Sequence, residues 1–167
     1  MKIMTQSNLQ NALAGESQAH IRYLNFAERA RKEGFPNIAR LFEAASASEH
    51  VHASNHLKNL DGVKDTSVNL AAAVSGEEFE IDEMYPAYLA VAELQQEKNA
   101  QRSFHNALEA EKVHAGLYRK ASQGIGSGKD IPEVAYYICP VCGYTMEGEP
   151  PDVCPVCGAK HDLFKRY

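Results

Sequence analysis

The sequence feature that most constrains the fold is a Glu-x-x-His pattern that occurs twice. It reads Glu49-His50-Val51-His52 in one copy and Glu111-Lys112-Val113-His114 in the other. A phenylalanine stands seven residues upstream of each glutamate, at Phe42 and Phe104. Residues three apart on a helix lie on the same face. The repeat therefore predicts two helices that each present a carboxylate and an imidazole to one side.

Two other helical segments supply further carboxylates. Glu16 lies on the stripe that Leu9, Leu13 and Tyr23 form in the first segment, and an unpaired carboxylate in a buried stripe is costly. Glu80 and Glu83 lie three apart in the third segment. One Glu from each of two helices, with Glu-x-x-His from each of two others, is the ligand set of dinuclear sites in four-helix bundles.

A solvated helix face is the alternative interpretation of any one of these pairs, and it is the better one for a single pair. Four contributions in matching register favour the metal site instead. Glu83 is then one carboxylate more than the basic set contains.

Helix boundaries follow from local signals. Ser7 or Asn8 can cap the first helix, and Gly34 followed by Pro36 ends it. Pro86 removes a backbone donor near the proposed site, so we expect a kink or a boundary there. The remaining helices are expected over residues 37–59, from about residue 67, and over residues 97–122.

The C-terminal part carries the only four cysteines, in two Cys-Pro-Val-Cys-Gly knuckles: Cys139, Cys142, Cys154 and Cys157. So short a segment cannot bury enough apolar surface to fold alone, so a metal must hold it. Four thiolates suit Zn(II) or a single iron ion, and the spacing does not separate the two. We expect a four-helix domain over residues 1–121, a flexible linker over 122–135 and a tetrathiolate domain over 136–167. Such a linker is not expected to hold the last domain against its own helices.

The bulk composition excludes several classes of function. The 167 residues carry a net charge of -5, which favours neither nucleic acid nor an anionic membrane as a partner. No apolar run approaches the roughly 20 residues that span a bilayer, and the first residues lack the apolar core of a secretory signal. A cytoplasmic location is the expectation.

The chain resembles the rubrerythrins over essentially its whole length. The features that carry this resemblance are Ala14-Gly15-Glu16-Ser17, Glu33-Gly34-Phe35-Pro36, Glu49-x-x-His52, Glu80-Ile81-Asp82-Glu83-Met84-Tyr85-Pro86, Glu111-x-x-His114 and the two cysteine knuckles. The resemblance implies a mainly α fold, with a ferritin-like four-helix bundle that holds a non-haem di-iron site and a small C-terminal rubredoxin-like domain that holds one iron, with zinc as a substitute. The implied activity is a peroxidase that reduces hydrogen peroxide to water in oxidative-stress defence.

The resemblance also implies partners. Electrons would come from an NAD(P)H-dependent reductase, often by way of a separate rubredoxin. Members of the family form head-to-tail homodimers in which the tetrathiolate iron of one subunit lies near the di-iron site of the other, and some exchange helices between subunits. We therefore expect this protein to work as a homodimer, with electrons crossing between subunits. The short 60–66 connection leaves such a helix swap open here.

Carried over residue by residue, the resemblance implies these di-iron ligands: Glu16, Glu49, His52, Glu80, Glu83, Glu111 and His114. One iron would move between His52 and Glu83 as its oxidation state changes, because a carboxylate suits the ferric ion and an imidazole the ferrous ion. Tyr23 and Tyr88 match tyrosines that hydrogen-bond to bridging carboxylates, and core packing is their alternative role. Glu77 and Glu78 are expected to be surface charges.

Two other functions remain as alternatives. A ferritin-like protein that oxidises and stores iron would have the same helical ligands, but it would need neither Glu83 nor the cysteine domain. A non-catalytic binding module with a structural zinc tail would be colourless, whereas an iron tetrathiolate centre is red.

Overall fold

The computed structural model describes residues 1–167, and it confirms a mainly α chain with four helices and a small C-terminal sheet. The third helix is interrupted, so it carries two labels and a π-helical segment between them. The helices are α1 (Ile3–Lys32), α2 (Pro36–Asn59), α3 (Thr66–Phe79), the π-helical segment (Glu80–Met84), α4 (Tyr85–Leu94) and α5 (Lys98–Gly126). The strands are β1 (Tyr136–Ile138), β2 (Thr145–Glu147) and β3 (Lys165–Arg166).

No helix is at once long enough and apolar enough to cross a membrane. The chain divides into two compact units, residues 1–64 and 65–167.

The first unit is the α1–α2 hairpin. Gly34 has a positive φ of 85° and ends α1, and Pro36 opens α2 two residues later. Small side chains form the hairpin core, where Ala27 and Ala30 of α1 meet Ala39 of α2. The predicted start of α1 was wrong: the helix begins at Ile3, without a side-chain cap.

One polar contact fixes the middle of this hairpin. Ser46 on α2 is 1% exposed, and its hydroxyl lies 2.8 Å from Nδ1 of His20 and 2.9 Å from the His20 carbonyl oxygen on α1. Ser46 precedes Glu49 by three residues, so the contact lies close to the first Glu-x-x-His motif. It holds the two helices in one register at that level.

The second unit begins with α3, whose first turn is capped by the Asp65 carboxylate, 3.0 Å from the backbone N–H of Val68. The π-helical segment follows, and there the N–H of Tyr85 donates to the carbonyl of Glu80. Pro86 has no N–H for the next α-helical bond, so the regular ladder is interrupted at this point. The boundary predicted near Pro86 is confirmed.

The C-terminal sheet has the order β2-β1-β3 and is antiparallel throughout. Helix α5 continues to Gly126, several residues into the segment expected to be a linker. Strand β2 lies against α5, where Nζ of Lys120 is 2.6 Å from a Glu147 oxygen and His114 is hydrogen-bonded to Thr145. The linker was not expected to hold the cysteine domain against its own helices, and it is these side-chain contacts of β2 that join the domain to α5.

Candidate metal centres

The α1–α2 hairpin brings together a first set of metal ligands, Glu16, Glu49 and His52. Their ligand atoms lie within 4.8 Å of one another. Nδ1 of His52 is 3.0 Å from Glu49 Oε2 and 4.0 Å from Glu16 Oε1. The set is open to solvent on the His52 side, whose side chain is 51% exposed.

The second unit brings together an equivalent set on α3 and α5, namely Glu77, Glu111 and His114. Nδ1 of His114 is 2.6 Å from Glu111 Oε2 and 3.9 Å from Glu77 Oε1. The two units thus build the same arrangement from the two copies of the repeat. In each, one helix supplies a carboxylate and the other supplies Glu-x-x-His, with Nδ1 turned towards both acids.

The donor set of the second unit fits a cation. A neutral imidazole nitrogen without a proton is an acceptor, and so is a carboxylate oxygen. The 2.6 Å separation of His114 Nδ1 and Glu111 therefore requires a proton or a metal ion at this position. Two carboxylates with an imidazole are the mixed oxygen and nitrogen ligands that iron takes in di-iron proteins.

The electrostatics of this set agree with that requirement. Burial and the charge of Glu111, with which it shares a hydrogen bond, raise the pKa of Glu77 to about 7. Burial, and then the charge of Glu111, also raise the pKa of Glu80, against the opposing effect of His114. Crowded carboxylates resist ionising together, and a bound cation relieves that repulsion.

The structure places the other predicted residues as follows. Glu80 is half-buried in the π-helical segment, close enough for its charge to act on Glu111 and His114. Glu83 is exposed in the same segment, and its side chain makes no hydrogen bond or ion pair within the chain. The ring of Tyr23 packs 6.2 Å from Phe42, the ring of Tyr88 packs 5.5 Å from Phe104, and neither hydroxyl has a hydrogen-bond partner in the chain.

Two residues at the second metal set, one a member and one a neighbour, were not predicted as site residues. Glu77 was expected on the surface, yet it lies among the ligands; its spacing of three from Glu80 was the signal that could have found it. Tyr85 was also missed. Burial, and then the charge of Glu80 and of Glu111, raise the pKa of its phenol, which places the ring beside the acids.

The four cysteines form a separate cluster with all sulfur atoms within 4.8 Å of one another. Sγ of Cys139 lies 3.6 Å from that of Cys157, and Sγ of Cys142 lies 3.5 Å from that of Cys154. A disulfide would need about 2.05 Å, whereas the edge of a tetrahedron with metal–sulfur bonds of about 2.3 Å is roughly 3.8 Å. The cluster therefore has the size of a tetrathiolate metal site.

The backbone of the two knuckles is nearly identical. Gly143 and Gly158 have positive φ angles of 82° and 74°, and each N–H donates over 2.9 Å to the carbonyl of the first cysteine of its knuckle. This turn aims further N–H groups at sulfur. Against the effect of burial, backbone N–H groups of Cys157 and Val156 lower the pKa of the Cys154 thiol overall. Burial raises the pKa of the Cys142 and Cys157 thiols, so a bound cation is needed to hold all four sulfur atoms as thiolates, the form that binds metal.

Comparisons with known proteins agree with this geometry. The family described as Rubrerythrin matches residues 7–122, and the family described as Rubrerythrin, rubredoxin-like domain matches residues 137–165. The chain is 46% identical to Rubrerythrin-2 of Clostridium acetobutylicum, over 98% of this chain and 97% of that protein. It is 34% identical to nigerythrin of Nitratidesulfovibrio vulgaris, over 98% of this chain and 86% of the relative.

A solved structure of nigerythrin in its fully reduced, all-ferrous state is also similar. The TM-score is 0.58 at 33% identity, and the match covers 98% of this chain and 86% of that one. The chain therefore belongs to the rubrerythrin family, in which its four clustered cysteines form the rubredoxin-like site and its Glu and His groups form the di-iron site.

Proposed function

We propose that this protein is a non-haem di-iron peroxidase that reduces hydrogen peroxide to water and so protects the cell from oxidative stress. The observation that carries the proposal is that one chain holds both a Glu/His metal set and a tetrathiolate site, with α5 in direct contact with the cysteine domain through His114 and Thr145. An enzyme that turns over peroxide needs an electron supply at its reacting metal site, whereas storage does not.

The proposed iron ligands are those that the resemblance implies for the helices, together with Glu77, which the second set contains: Glu16, Glu49, His52, Glu77, Glu80, Glu83, Glu111 and His114. We place Glu83 and His52 as the exchanging pair. Two features of the chain support this: the Glu83 side chain is exposed and unpaired, and the His52 side chain is 51% exposed, with one hydrogen bond, between Nδ1 and Glu49. Side chains with so few partners can reorient at little cost. Tyr23 and Tyr88 are the proposed hydrogen-bond donors to bridging carboxylates.

The reaction needs two electrons and two protons for each peroxide, and it yields two waters. Bound iron in the ferrous state supplies the electrons. The role of the chain is to hold that metal with carboxylates and imidazoles and to bring the electron-carrying domain close.

Electrons would enter at the tetrathiolate site from an NAD(P)H-dependent reductase, directly or by way of rubredoxin. The contact between β2 and α5 offers the way onward: the Thr145 hydroxyl donates over 3.1 Å to the carbonyl of Gly143, and it lies 2.9 Å from His114 Nε2. Gly143 directly follows Cys142. The proposed transfer therefore runs within one chain and not, as the sequence led us to expect, between subunits.

A homodimer in the cytoplasm is the proposed setting. The α1–α2 hairpin leaves large apolar side chains exposed, among them Ile21 at 57% and Leu24 at 41%. Apolar surface of this kind marks interaction sites, and we assign a second copy of the chain to it. Unpaired thiols at tetrathiolate spacing are typical of a reducing compartment. Light scattering on a size-exclusion column tests the dimer, and a monomer at micromolar concentration would contradict it.

The decisive experiment is anaerobic addition of one equivalent of hydrogen peroxide to the fully reduced, iron-loaded protein, followed optically. The proposal predicts rapid and stoichiometric reoxidation, with slower reoxidation by dioxygen. The control is Glu111→Gln, which should lose the fast phase and keep the red tetrathiolate spectrum. Reoxidation by peroxide no faster than by dioxygen would contradict the proposal, and accumulation of a ferric mineral would favour iron storage.

A further inference from the structure

We infer that Thr145 of the cysteine domain is a positioning residue that fixes which nitrogen of His114 faces the di-iron site. Oγ1 of Thr145 lies 2.9 Å from Nε2 of His114, and Thr145 is only 9% exposed. The two residues are 31 positions apart, so the fold of residues 65–167, and no local turn, brings them together. The inference rests on the proposed assignment of His114 as an iron ligand.

The direction of this hydrogen bond follows from the second partner of the hydroxyl. Thr145 Oγ1 donates over 3.1 Å to the carbonyl oxygen of Gly143, and a hydroxyl has only one hydrogen. With its hydrogen directed at Gly143, the oxygen accepts from His114, and Nε2 carries the proton in that arrangement. In the neutral ring the other nitrogen, Nδ1, is then unprotonated. Nδ1 is the atom that lies 2.6 Å from Glu111 and 3.9 Å from Glu77.

The cysteine knuckle holds the hydroxyl in place. Thr145 is the first residue of β2 and pairs with Ile138 of β1, directly before Cys139. The carbonyl that it bonds belongs to Gly143, whose own N–H donates to Cys139. A metal ion bound at the first knuckle therefore also fixes the position of the Thr145 hydroxyl that contacts His114. Metal in the cysteine site should therefore strengthen binding at the Glu/His site, and the coupling is reciprocal.

The two histidines of the repeat differ in this respect. His52 has no partner for Nε2 within the chain and is 51% exposed, whereas His114 is 28% exposed and anchored. A bond to the outer nitrogen fixes the tautomer and ring orientation of a metal-bound histidine. Only the α5 copy of the motif has this support.

The test compares Thr145→Val, which keeps the shape and loses the hydroxyl, with Thr145→Ser, which keeps the hydroxyl. Each protein is prepared with its red iron tetrathiolate centre, and ferrous ion binding at the helical site is measured by anaerobic equilibrium dialysis. Loss of such an outer partner typically weakens metal binding by about 10- to 100-fold. We expect that loss for Thr145→Val and affinity close to wild type for Thr145→Ser.

The matched control is Glu147→Gln, which removes the ion pair with Lys120 on the same strand but leaves the His114 bond intact. It should bind ferrous ion as wild type does. Unchanged affinity in Thr145→Val, or an equal loss in Glu147→Gln, would overturn the inference. Thr145→Ala is a second variant without the hydroxyl, to be used if the valine variant loses its red centre.

A second readout does not depend on affinity. In protein that holds zinc in the cysteine site and no metal at the helical site, long-range proton–nitrogen NMR reports the tautomer of His114. Wild type and Thr145→Ser should show Nε2–H alone, and Thr145→Val should lose that exclusive state; an unchanged spectrum would refute the role. Neither measurement uses peroxide, so a failure here leaves the peroxidase proposal standing, and an inactive wild-type enzyme leaves this inference testable.

Discussion

Transfer of electrons within one chain can be tested with mixed dimers. One subunit carries Cys142→Ser, which removes a ligand of the tetrathiolate site, and the other carries Glu111→Ala, which removes a ligand on α5. Both positions lie in the same compact unit, residues 65–167. The result is therefore independent of which copy supplies the α1–α2 hairpin. Different affinity tags on the two subunits allow the mixed dimer to be purified.

The expected activities follow from the contact between β2 and α5. His114 and Thr145 of one chain are hydrogen-bonded to each other, so each tetrathiolate centre should serve the α5 ligands of its own chain. In the mixed dimer one chain has no working electron carrier and the other has no intact helical site. Peroxidase activity should therefore be as low as in the two parent variants. Transfer between subunits would instead pair one intact centre with one intact site and restore about half of the wild-type activity.

The assay follows NADH consumption with peroxide, a reductase and rubredoxin in excess, so that the transfer within the protein limits the rate. A mixed dimer of two wild-type chains with the same tags sets full activity. Recovery of about half of that activity would refute the reasoning, because it would place the functional contact between subunits. Iron analysis of each mixed dimer must first show that the unmutated sites are loaded.

Three further predictions concern single substitutions. Cys142→Ser should bleach the red centre but leave the helical circular dichroism unchanged, because no helix of the fold depends on the cysteines for its hydrogen bonds; global unfolding would count against separate folding of the two parts. Glu83→Ala should keep its iron content, since the basic helical ligand set remains, but should turn over peroxide more slowly, and full activity would remove Glu83 from the mechanism. Ser46→Ala should lower the free energy of unfolding by about 0.5–1.5 kcal/mol in thermal or denaturant unfolding, because it removes the hydrogen bonds of the buried hydroxyl to His20, while Nδ1 of His20 keeps the Ser46 carbonyl oxygen 2.9 Å away. The exposed Ser48→Ala is its control, and an equal effect of both changes would show that the buried hydroxyl is not the cause.

Local spacing explains which parts of the site could be predicted from the sequence. Glu49 with His52, and Glu111 with His114, are three apart on helices, and helix geometry alone puts each pair on one face. The cysteine knuckles are equally local, since a Cys-x-x-Cys turn with a following glycine fixes two sulfur atoms by its own backbone. The boundary at Pro86 followed from a missing N–H.

The place of Glu77 in the metal set depends on a π-helical turn, which the spacing of the glutamates along the sequence does not reveal. Glu77, Glu80 and Glu83 follow one another at intervals of three, so a regular helix would place them along one face. The π-helical turn from Glu80 to Met84 changes the rotation per residue, and Glu83 stays exposed while Glu77 joins Glu111 and His114. The predicted start of α1 was also misplaced, because a helix that begins without a side-chain cap has no capping residue in the sequence to mark its first turn.

By itself, then, the sequence determined the helices, the two Glu-x-x-His motifs and the tetrathiolate cluster, because each is encoded within a few neighbouring residues. Only the tertiary structure decided that Glu77 lies in the metal set and that the Thr145 hydroxyl lies 2.9 Å from the outer nitrogen of His114. Both results depend on which elements pack together, and for Thr145 the partners are 31 residues apart. Such pairings arise from the packing of a whole unit, and no pattern within a single helix or knuckle contains them.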